Sequence, residues 1–82
     1  MTERLKRLHV IKNATRQGVV IPFNQNSLTE LKNDIADELR MSRVNFLFNT
    51  HGCEIIEFDL IRDDDVLIAS GLIFPRFFQF IR

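Results

Sequence analysis

Residues 58–71 read FDLIRDDDVLIASG, and they constrain the fold more than any other part of the chain. Three consecutive aspartates, Asp63, Asp64 and Asp65, cannot be packed together in an interior, so they must occupy a solvated turn. The four apolar residues that follow, Val66 to Ala69, must then pass directly from that turn into a core. Ser70 and Gly71 end the run. This is the closing strand of a small interaction fold and lacks the marks of an active site.

The rest of the chain supplies the partners such a strand needs. Residues 8–11 and 18–23 are two strand-like apolar runs, joined by the polar stretch Asn13-Ala14-Thr15-Arg16-Gln17, which reads as a hairpin connection. Pro22 has no backbone donor, so the second strand lies at a sheet edge or stops there. Ser27-Leu28-Thr29-Glu30 has the form of a capping box. In it the Ser27 hydroxyl accepts from the Glu30 amide and the Glu30 side chain reaches back to the Ser27 amide, starting a helix at Leu28. Leu28, Leu31, Ile35 and Leu39 recur at spacings of three and four, with Lys32, Asp34, Asp37 and Glu38 between them. That pattern predicts one buried stripe and one wet face. A third strand over residues 44–48, a turn at residues 49–52, a short strand near residues 54–56 and an irregular apolar turn at 58–61 precede the last strand. The order predicts an α+β fold of the ubiquitin-like β-grasp kind, a mixed sheet of four to five strands with one helix packed across it.

Composition sets the outer bounds. With 82 residues, 45% of them hydrophobic and 27% charged, residues 1–82 are expected to form a single domain. Its core is expected over about residues 7–71, with residues 72–82 as an apolar C-terminal extension. No apolar run approaches the roughly 18 residues of a membrane span, and no apolar signal core follows the basic start, so membrane insertion and export are not expected. The single cysteine, Cys53, leaves no internal disulfide and suits a reducing, cytoplasmic setting.

Net charge is zero, but its distribution is uneven. Residues 1–16 carry Arg4, Lys6, Arg7, Lys12 and Arg16 against Glu3. Residues 54–82 carry six acids against Arg62, Arg76 and Arg82. If the first strand and the acidic turn lie on different faces, the molecule is a dipole able to attract copies of itself or a charged partner.

Chemical motifs are sparse. His9, His51 and Cys53 do not have the spacing of a zinc site, and Cys53 beside His51 in a turn lacks a third residue to orient the imidazole. The aspartate run lacks the alternation, central glycine and distal glutamate of a calcium loop. Gly18, Gly52 and Gly71 are scattered singly, which excludes a glycine-rich phosphate loop. The basic start has no interleaved aromatics, so nucleic acid is not an expected partner. The expectation is a non-enzymatic module without cofactor or metal.

The segment from Asp63 to Gly71 resembles the last strand of doublecortin domains, and Glu54-Ile55-Ile56-Glu57-Phe58-Asp59-Leu60-Ile61-Arg62-Asp63 is similar to the KHA domain at the cytoplasmic end of plant potassium channels. It is also similar to the relative of that domain at the N-terminus of some BTB adaptor proteins. These belong to one ubiquitin-like superfamily, and the resemblance covers roughly residues 7–71. The doublecortin likeness implies a tubulin or microtubule partner, met by Arg4, Lys6, Arg7, Lys12 and Arg16. The KHA likeness implies self-association or adaptor docking as a homo-oligomer, with Asp63, Asp64 and Asp65 of one copy facing the basic first strand of the next. The tail adds Phe74, Phe77, Phe78 and Phe80, four of the eight phenylalanines. They form an apolar surface expected to pack back on the sheet, pair with another copy or dock on a partner.

Overall fold

Hydrophobic alternation sets the two faces of the strands, and the computed structural model describes residues 5–71 of the chain. The elements are β1 (Arg7–Lys12), β2 (Gly18–Pro22), α1 (Leu28–Leu39), β3 (Phe46–Phe48), a 3-10 turn (Phe58–Leu60) and β4 (Val66–Ser70). They form a four-stranded sheet in the order β2-β1-β4-β3. β1 runs antiparallel to β2 and parallel to β4, and β3 runs antiparallel to β4. With one helix laid on one face, this is the mixed β-grasp sheet.

The inner face of the sheet follows the period of two. Leu8 and Val10 of β1, Ile21 of β2, Leu47 of β3, and Leu67 and Ala69 of β4 are all at most 1% exposed. Leu31, Ile35 and Leu39 of α1 complete the same cluster, and Leu28 packs at its margin. Ala36 is buried too, widening the stripe beyond the predicted leucine and isoleucine positions. Phe23 meets Phe58 edge-on at 5.6 Å and extends this core beyond the end of β2.

The helix termini show how local chemistry is satisfied. The Glu30 amide donates to Ser27 Oγ at 3.1 Å as the capping box requires. The Glu30 carboxylate, however, accepts from the Asn26 amide at 2.9 Å and not from that of Ser27, so the box closes one residue further out. Lys32 also departs from the expected wet face. Its ammonium donates to the Asn45 carbonyl at 3.0 Å in a partly buried setting.

The third strand is also shorter than expected. Val44 is buried and the Asn45 amide donates to the Ser70 carbonyl at 2.9 Å, yet the ladder proper begins at Phe46, which stands opposite Ser70, the last residue of β4. The expected strand near residues 54–56 reduces to one bridge between Glu54 and Phe48, plus a bond from the Ile55 amide to the Leu47 carbonyl at 2.7 Å. Among the described residues the sheet therefore has four strands. Pro22 is both the last residue of β2 and on a sheet edge, where its missing donor costs nothing. Gly71 is required by space: a Cβ there would stand 2.7 Å from the Arg43 carbonyl oxygen.

Ile35 is fully buried between α1 and the sheet, whereas Ile56 is 69% exposed. Ile35→Ala should lower the unfolding free energy by about 2–4 kcal/mol in urea titrations. Ile56→Ala should change it by less than about 0.5 kcal/mol. Equal costs at the two positions would refute this assignment of the core.

Candidate functional site

The acidic turn is built into the start of β1. Arg62 and Asp65 close the turn: the Asp65 amide donates to the Arg62 carbonyl at 3.1 Å, and the Arg62 amide donates to Asp65 Oδ2 at 2.8 Å. Asp64 sits at φ 69°, a left-handed conformation that aspartate tolerates better than most residues. Its amide donates to the Arg7 carbonyl at 2.7 Å, and the Arg7 amide donates to Asp63 Oδ1 at 2.8 Å. Arg7 Nε then reaches Asp64 Oδ1 at 2.8 Å, with His9 Nε2 3.4 Å from the same oxygen. The three aspartates thus have separate tasks. Asp63 accepts from the first amide of β1, Asp64 pairs with Arg7, and Asp65 closes the turn that leads into β4.

This geometry corrects the expectation of two opposed charged faces. Parallel pairing of β1 with β4 carries the basic strand and the acidic turn to the same end of the sheet, and Arg7 pairs with Asp64 within the chain. Nor are the basic residues one patch. Lys12 is at the far end of β1 from Arg7, roughly 17 Å away at the strand rise, and Arg16 lies in the exposed hairpin turn beyond it. Lys6 is exposed ahead of β1. Arg4, Phe74, Phe77, Phe78 and Phe80 lie outside the described residues.

The face of the sheet opposite α1 is the second feature, one that reading single strands left unseen. Register places Val20, His9 and Val66 in one row across β2, β1 and β4. Gly18, Ile11, Ile68 and Phe48 form the next row across all four strands. Val20 is 59% exposed, Val66 37% and Ile11 36%. Toward β3 the face closes. Ile68 is half-buried, and Phe48 is only 2% exposed, stacked on Phe46 at 6.1 Å between ring centroids. The exposed apolar strip therefore lies over β2, β1 and the start of β4, beside the Arg7–Asp64 pair.

Cys53 and His51 are exposed in a turn organised by Asn49, whose Oδ1 accepts from both of their amides at 3.0 and 2.8 Å. Among the described residues no three His, Cys, Asp or Glu side chains gather as metal ligands. No helix among them is long and apolar enough to cross a membrane.

The residues that build the sheet, the helix and the acidic turn also carry the match to known proteins. Residues 6–69 match the family model described as KHA, dimerisation domain of potassium ion channel. The chain belongs to the KHA family. The match covers β1 to the penultimate residue of β4, so it includes the turn and its pairing with β1. It supports the KHA side of the resemblance and offers no support for the doublecortin side or its tubulin partner. No curated protein matches the chain.

The paired turn makes a quantitative prediction. Asp63→Ala should cost about 1 kcal/mol of stability, because the Arg7 amide loses an acceptor. Asp64→Asn keeps a residue suited to the left-handed conformation and should cost less than about 1 kcal/mol, as expected for an exposed ion pair. That smaller cost should shrink further in 1 M salt, where the screening length is about 3 Å. Guanidinium is itself ionic, so urea unfolding with and without added NaCl is the suitable measurement.

Proposed function

We propose that this chain is a non-enzymatic self-association module that forms a homodimer through the exposed strip of Ile11, Val20 and Val66. The observation that carries this reading is the KHA match over residues 6–69, a family described as a dimerisation domain. The strip supports it physically. It is apolar, lies on the sheet face opposite α1, and spans three adjacent strands, β2, β1 and β4, so a second copy can cover it without disturbing the core.

The charged residues contribute less than their number suggests. Arg7 is already paired with Asp64, which leaves Lys6, Lys12 and Arg16 as the basic groups of residues 5–16 available to face Asp63, Asp64 and Asp65 of another copy. Exposed pairs of this kind contribute roughly 0.2–1 kcal/mol each, enough to orient an encounter but not to hold it. The phenylalanines at 74, 77, 78 and 80 would add apolar area to the same association. A cytoplasmic setting and a role within a larger assembly are part of this proposal.

Sedimentation velocity over a concentration series tests it. The expected result is a concentration-dependent dimer that persists in 1 M NaCl, because apolar contact is not screened by salt. Val20→Asp should weaken association by about tenfold or more, while a residue so exposed leaves the melting temperature nearly unchanged. A monomer at every concentration would sink the proposal. A dimer that dissociates in salt would transfer the interface to Lys6, Lys12, Arg16 and the aspartates.

A further inference from the structure

At the end of the sheet opposite the acidic turn, the hairpin after β1, the segment after α1 and the end of β4 border an open hollow of about 430 Å³. Lys12, Arg40 and Arg43 all line it, and no aspartate or glutamate does. In a chain whose acids and bases are equal in number, three cations around one hollow are a strong local excess. None of the three is paired with a carboxylate among the described residues.

Two independent features converge on the same wall. Three described non-glycine residues have positive φ, and two of them, Ala14 at 69° and Arg40 at 56°, line this cavity. Glycine is the low-cost residue at such positions, including the left-handed cap that ends a helix, and this conformation held by other residues concentrates at functional sites. At the cap of α1 the chain carries a guanidinium where glycine would offer nothing. The other feature is Asn13, whose side-chain nitrogen and oxygen are both buried without a hydrogen-bond partner, in the wall of the cavity. Buried polar atoms are nearly always paired, so Asn13 is an unsatisfied point of this wall, its amide group covered and out of a ligand's direct reach.

The end of α1 does not oppose an anion here as strongly as a bare helix C-terminus would. The carbonyls of Ala36 and Asp37 are occupied by the amides of Met41 and Arg40, at 2.8 and 3.3 Å. Guanidinium groups present planar pairs of donors that match the oxygens of a phosphate, and the ammonium of Lys12 adds a point charge. We propose that this cavity is an anion site that takes a phosphate group, held by Lys12, Arg40 and Arg43. It is separate from the self-association strip and does not depend on it.

The test is a titration of the ¹⁵N-labelled 82-residue chain with sodium phosphate replacing chloride at constant ionic strength. Saturable shifts are expected at the amides of Asn13, Ala14, Ser42 and Arg43, with a midpoint on the order of 1 mM. The double variant Lys12→Gln, Arg43→Gln keeps the helix cap and should bind about tenfold more weakly with an unchanged melting temperature. Shifts that stay linear with concentration, or that persist equally in the variant, would overturn the site. Flotation with phosphatidylcholine vesicles, with and without a phosphatidylinositol phosphate, separates the sources. Phosphoinositide-dependent flotation lost in the variant supports the site as a lipid headgroup pocket. Saturable phosphate binding without flotation supports it as a pocket for a soluble phosphate. Val20→Asp, monomeric or not, should bind phosphate as the parent chain does.

Discussion

The parallel pairing of β1 with β4 is the contact on which the rest of the molecule depends. It joins the first strand to the last across almost the whole described chain, and it lies at the centre of the sheet with β2 and β3 outside it. Closing so long a loop carries an entropic cost that local contacts cannot offset, so the pair must be stabilised where it starts. The acidic turn does this. Asp63 and the backbone of Asp64 and Asp65 bind the backbone of Arg7 and His9 at the point where the two strands begin to pair, which fixes their register. The three acids of the solvated turn thus help to align the central strands.

That register also separates the two faces. Inner positions of every strand pack against α1, while outer positions place Val20, Ile11 and Val66 side by side on the opposite face. A small sheet with one helix has apolar surface to spare on its second face, and a self-association module can use it. The same geometry sends the charges to two ends. One end has Arg7 neutralised by Asp64, and the other has Lys12, Arg40 and Arg43 around a cavity without acids. Zero net charge therefore conceals a basic end.

Much of the architecture was legible because it rests on short-range chemistry. The start of α1 follows from Ser27 and Glu30, the stripe from Leu31, Ile35 and Leu39, the end of β2 from Pro22, and the turn before β4 from three adjacent carboxylates. Residues that fell short of expectation did so through contacts between distant segments. Lys32 leaves the solvated face because Asn45, thirteen residues on, offers a carbonyl, and β3 starts only at Phe46 because β4, its partner, ends at Ser70. The strand near Glu54 shrinks to a bridge to Phe48, flanked by bonds from the Asn49 amide to the Cys53 carbonyl and from the Ile55 amide to the Leu47 carbonyl.

The site divides in the same way. The chain alone points to a β-grasp sheet, an acidic turn and a basic start, since these depend on residue type and local spacing. It cannot say which charges meet. Arg7 and Asp64 are separated by 57 positions, and only the parallel pairing of β1 and β4 places them 2.8 Å apart. Likewise Lys12 of β1 and Arg40 and Arg43 of the segment after α1 line one hollow only because that segment and the hairpin meet at the same end of the sheet. Local chemistry is written in neighbouring residues, but a surface is made by register, and register is decided by what the whole core can bury.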